Sequence, residues 1–130
     1  MSDRPPALAS VVFGSRAPER EAAWYRRALG LPPGGAASQL TVTPRDDVAP
    51  TAVEPMRIIP NFHVDDITVV EARLIAMEAI WVREVEATSC GIIGTVLDPD
   101  GNFVQVIETP SRDSALVSRR RAGRRSSPDV

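Results

Sequence analysis

Apolar and β-branched residues cluster late in the chain. Residues 91–97 (GIIGTVL) and 103–107 (FVQVI) are two such runs, too short and too β-branched for ordinary helices. Asp98-Pro99-Asp100-Gly101 stands between them. Pro99 presets φ, the Asp side chains can cap nearby N–H groups, and Gly101 supplies a positive φ, so the stretch predicts a hairpin. Upstream, Ile67, Val70, Leu74 and Met77 recur at helical spacing and predict an amphipathic helix over 67–79. Residues 80–86 predict a strand with Trp81, Arg83 and Val85 on one face. Residues 56–64 predict another, in which Pro60 requires an edge or a bulge.

The first half repeats the scheme more faintly. Residues 7–14 (ALASVVFG) predict a strand with Ala9, Val11 and Phe13 on one face. Ser15, Pro18 and Glu19 open a helix that runs to about Leu29, where Gly30 is a natural stop. Pro32-Pro33-Gly34-Gly35 predicts a loop, residues 39–43 a strand, and 44–55 a long irregular connection. After Pro110 no apolar periodicity remains, which predicts a disordered, Arg-rich tail over 110–130 behind a domain spanning 7–109. The order is β-α-β(β), then β-α-β-β-β: a weak internal repeat with a shortened first copy.

Composition adds bounds. The chain of 130 residues is 43% hydrophobic and 25% charged, enough for one globular core. No apolar run reaches the ~20 residues of a membrane helix, and no apolar leader precedes the first strand. A single cysteine, Cys90, excludes an internal disulfide and suits a reducing cytoplasm. Beside Gly91 it reads as a small filler rather than a nucleophile. Residues 1–108 carry 9 Arg against 15 acids, a net of −6, while the tail carries 6 Arg against 2 acids, a net of +4. An acidic body with a basic tail argues against a nucleic-acid-binding domain.

Three stretches together carry a resemblance. DPDGN followed by an apolar-x-Gln-apolar strand, the helix Ala22-Ala23-Trp24-Tyr25-Arg26-Arg27-Ala28-Leu29-Gly30, and the strand opening Phe62-His63-Val64-Asp65-Asp66 resemble, in that order, the vicinal oxygen chelate superfamily of glyoxalases, bleomycin-resistance proteins and extradiol dioxygenases. The resemblance implies an α+β fold in which paired βαβββ modules form a curved mixed sheet around a cavity. It also implies where metal-dependent relatives carry their ligands. Those positions fall on Ser10, Ile59 and Gln105 here, a hydroxyl, an alkyl group and an amide, which make a poor divalent-ion site. Glu108 lies three positions beyond Gln105 and points to the opposite face unless the strand bulges. The expectation is therefore no metal and no cofactor.

On such a sheet Ser10, Asn61, His63, Phe103 and Gln105 face one cavity and form the candidate ligand site. The leading functional expectation is a metal-independent protein that binds a small, largely apolar or antibiotic-like molecule, as a cytoplasmic homodimer without membrane contact. The rival is a lyase, isomerase or dioxygenase with unorthodox ligands or an acid/base site using His63. A third class is an interaction module whose tail meets acidic partners. Trp24 reads as core packing, and the carboxylates Asp65-Asp66 as caps of the following helix.

Overall fold

The computed structural model describes residues 4–32 and 39–110. Pro33, Gly34 and Gly35 of the expected loop, and the tail beyond Pro110, lie outside them. Eight elements follow in order: β1 (Val11–Ser15), α1 (Pro18–Leu29), β2 (Leu40–Pro44), β3 (Asn61–His63), α2 (Ile67–Ala76), β4 (Trp81–Thr88), β5 (Gly91–Leu97) and β6 (Phe103–Glu108). β1 and β2 pair in parallel, and the second sheet runs β3-β6-β5-β4 with β3 parallel to β6. Each half thus carries a parallel pair bridged through a helix. Between helix and closing strand the second half adds β4 and β5, for which the described residues of the first half show no counterpart.

Local chemistry explains the boundaries. Pro18 sits in the first turn of α1, the Ser15 hydroxyl accepts from the Ala17 amide, and Gly30 ends the helix at φ 68°. In α2, Asp66 is the N-cap and accepts from the Thr68 amide at 3.0 Å, as its carboxylate predicts. The helix stops at Ala76, three residues early, because Glu78 turns left-handed at φ 56° and the Ala79 amide closes back onto the Leu74 carbonyl. β3 is far shorter than the expected strand. Pro60 brings no N–H, its carbonyl takes the Gln105 amide, and regular pairing starts only at Asn61, on an edge strand.

Ile67, Val70 and Leu74 of α2 are buried with Val104, Val106 and Val96 of the sheet, and Tyr25 and Ala28 of α1 join the same core. Trp24 packs edge-on against Tyr25 with ring centroids 4.9 Å apart. Two expectations are corrected. Register shifts on either side of Arg83 put Trp81 opposite Val96 but Arg83 opposite Thr95, so Arg83 does not share the Trp81 face. Cys90 fills no gap; it is exposed in the tight turn between β4 and β5. None of the described helices is long and apolar enough to cross a membrane.

Candidate functional site

A cleft of about 400 Å³ opens where the starts of β1 and β2 face the approach to β3. One wall carries Leu8, Ser10 and Val11 with Gln39 and Leu40. The other carries Ile58, Ile59, Pro60, Asn61 and Phe62. Among the described residues none of its lining side chains is ionisable: the polar ones are the Ser10 hydroxyl and the Gln39 and Asn61 amides. Phe62 also leans on Tyr25, so the inner wall is continuous with the core.

Ser10 and Asn61, two of the five expected site residues, therefore line this cleft together. The other three do not line it. Asn61 is registered beside Gln105, which pairs in turn with Thr95, while Phe103 pairs with Leu97 and His63 with Ile107. Alternation puts Asn61, His63, Phe103 and Gln105 on the sheet face away from the helices, with Asn61 shared between that face and the cleft. His63 is exposed, and its Nε2 meets the Thr109 hydroxyl. Among the lining residues missed by sequence reasoning are Leu8, Gln39, Leu40, Ile58 and Pro60. Residues 58–60, expected as part of a strand over 56–64, have irregular backbone ahead of β3, so strand alternation does not show which of them meet the cleft.

A metal fits these donors badly. β6 runs in unbroken register against β5 from Phe103 to Glu108, so no bulge turns Glu108 toward Gln105. Glu108 is instead buried on the helix side, where its Oε1 accepts from the Ile67 amide at 2.9 Å and helps cap α2. Among the described residues no three His, Cys, Asp or Glu side chains converge closely enough to hold an ion. A broader depression of about 620 Å³ lies at the opposite ends of β1 and β2, lined by Ser15, Arg16, Pro44, Arg45 and Asp46. Its arginines are already engaged. Arg16 donates to the Val48 and Asp46 carbonyls, and Arg45 grips Asp47, which holds the Asp47 carboxyl below the usual range. The uncharged cleft is the better small-molecule site.

The cleft is backed by a buried polar cluster that joins α1 to the β5–β6 turn. Asp98 accepts from the Tyr25 hydroxyl at 2.7 Å, from the Asp100 and Asn102 amides at 3.0 and 2.9 Å, and from the Asn102 side chain at 3.0 Å. Arg20 pairs with Asp100 at 2.9 Å. Burial, then the charge of Asp98, pushes the Tyr25 phenol well above its ordinary range, so it remains a neutral donor. Gly101 makes the turn possible at φ 82°.

Comparisons with known proteins agree with this geometry. A glyoxalase-like domain family matches residues 10–107. Among solved structures, a glyoxylase/bleomycin resistance protein/dioxygenase domain from Frankia sp. EAN1pec superposes with a TM-score of 0.66 at 16% identity, covering 82% of this chain and 100% of its own. A glyoxalase/bleomycin resistance protein/dioxygenase family enzyme from Burkholderia phytofirmans PsJN gives 0.65 at 14% identity, with 81% and 100% covered. TnmS3, an antibiotic binding protein from Streptomyces sp. CB03234, gives 0.59 at 15% identity, with 82% and 98% covered. No curated protein matches the chain.

Proposed function

The chain belongs to the glyoxalase-like domain family of the vicinal oxygen chelate superfamily, and on that premise we propose that it binds a small, largely apolar molecule without a metal. One observation carries the reading: among the described residues the cleft beside Asn61 is lined by apolar and uncharged polar side chains alone. Such a lining rewards apolar burial and orients a ligand through a few hydrogen bonds. It offers no group to take a proton and no charge to hold a divalent ion. The net charge of −6 over residues 1–108 favours a neutral or cationic ligand over an anion. An antibiotic-like molecule is a natural probe, since TnmS3 has the same fold and binds an antibiotic. The rival acid/base reading gains no support from His63, whose contact is the Thr109 hydroxyl rather than an orienting carboxylate.

Thermal melting tests the proposal. A ligand that binds only the folded state stabilises it by roughly 2.7 kcal/mol at a hundredfold excess over Kd. Zinc, iron, manganese and nickel salts should leave the melting temperature unchanged, while some planar apolar compounds raise it. One tightly held metal per chain by elemental analysis would overturn the metal-free reading.

The same surface bears on assembly. Leu8 and Ile58 of the cleft lining are exposed, as are Val12, Val53 and Met56. Apolar surface of that kind marks an interaction face, and we infer a homodimer that covers it. Light scattering at micromolar concentration should give twice the chain mass; a monomer mass would refute this.

A further inference from the structure

Glu21 lies one turn before Tyr25 on α1 and has no exposed surface. Its Oε1 accepts from the Asp100 amide at 3.3 Å and its Oε2 from the Asn102 side chain at 3.2 Å. Both donors are shared with Asp98, whose carboxylate takes the same Asp100 amide and the same Asn102 side chain at 3.0 Å each, so the two carboxyl groups are crowded together. Asp98 already receives four donors, three N–H groups and one O–H, which makes it the acceptor of the pair. A carboxylate pair buried together cannot both stay ionised without a cation between them. Among the described residues the cation of this cluster is Arg20, which is bound to Asp100 and is more than half exposed. Two carboxyl groups buried on the same pair of donors therefore need a proton between them, and Glu21 is the member left to carry it.

We propose that one proton, held on Glu21 and donated to Asp98, latches α1 onto the β5–β6 turn, and that its loss to alkaline solvent releases the latch. The position gives this consequence. α1 belongs to the first half of the chain and the turn to the second. The Ala52 amide donates to the Asp100 carbonyl at 2.8 Å, so the connection that leads to the cleft wall is tied to the same turn. The groups facing Glu21 are Asp98, Asp100 and Asn102 from the turn, and Arg20 and Tyr25 from α1. Thr51 and Ala52, packed against the turn, bring nothing that titrates near neutrality.

Burial, the hydrogen bond to Asp98 and the charges of Asp98 and Asp100 push the Glu21 carboxyl up to about 9 from 4.5. The unfolded chain releases this proton near the ordinary value, and the folded chain keeps it until about pH 9. Across that window the folded state binds one proton more, so stability is full below it and falls as pH rises through it.

Melting curves between pH 6 and 10 on the full chain test the latch, with Glu21→Gln placing a permanent donor where the acid stood. In the wild type the unfolding equilibrium should move toward the unfolded state by up to about tenfold per pH unit until Glu21 ionises. Glu21→Gln should remove that slope and melt higher than wild type at pH 9. Equal slopes in the two proteins would overturn the proposal. Carbon NMR of the wild-type Glu carboxyls decides the matter even if the variant fails to fold. One Glu carboxyl carbon protonated at pH 7 and titrating above pH 8 supports the latch; titration of every Glu near its ordinary value refutes it.

Discussion

Asp98→Ala should destabilise the domain by about 3–5 kcal/mol, a large share of the ~5–15 kcal/mol that holds a domain folded. The side chain is almost fully buried and accepts four hydrogen bonds from three residues. Truncation strands the Tyr25 hydroxyl and the Asn102 backbone N–H, and each unsatisfied buried group costs about 1–3 kcal/mol. It also removes the acceptor that orders the Asp100 and Asn102 amides, so the turn loses its shape as well as its partner. Tyr25→Phe removes one donor to a charged group and should cost about 1.5–3 kcal/mol. Urea unfolding of both variants checks the order. Equal midpoints for wild type and Asp98→Ala would show that the turn does not hold the two halves together.

Ser10→Trp should abolish ligand binding while leaving the fold intact. Ser10 lines the cleft and is only partly buried, so an indole there enters the cavity instead of displacing core residues. Filling much of the space should weaken any compound that stabilises the wild type by about a hundredfold, near 2.7 kcal/mol. Asn61→Ala removes one orienting amide and should cost about tenfold, the worth of a typical net hydrogen bond. Ile75→Arg, on the exposed face of α2, serves as the control and should bind normally. Titration calorimetry separates the three. Undiminished affinity in Ser10→Trp would move the site elsewhere, the sheet face of His63, Phe103 and Gln105 being the next place to test.

Legibility differed sharply between the halves of the chain, for physical reasons. α2 and the β5–β6 hairpin stand out because helical spacing and turn residues act locally: Ile67, Val70 and Leu74 are buried, and β5 begins and ends where its β-branched run does. β3 shrank to three residues because pairing with β6, not the alternation of residues 56–64, sets its length. The cleft was half visible. Ser10 and Asn61 follow from strand placement, but Ile58 and Pro60 come from the part of the expected strand that leaves the ladder before Asn61, where consecutive residues meet the cleft together. Glu21 was hidden altogether. A Glu in the first turn of a helix ordinarily looks outward and complements the helix dipole. The signal for burial was its place one turn before Tyr25 and two before Ala28, on the face that enters the core.

The two parallel pairs carry a kinetic consequence. β4, β5 and β6 are neighbours in sequence and can zip as antiparallel hairpins, with little chain to close. β1 with β2, and β3 with β6, must each wait for an intervening helix and must close far longer loops. The strands that join late, β1, β2 and β3, are the ones that border the cleft. The binding rim therefore belongs to the part of the domain that assembles last and exchanges its amide hydrogens first, while β5 and β6 remain protected. A cavity framed that way can yield at its edges to ligands of different outline, at a local opening free energy well below that of global unfolding.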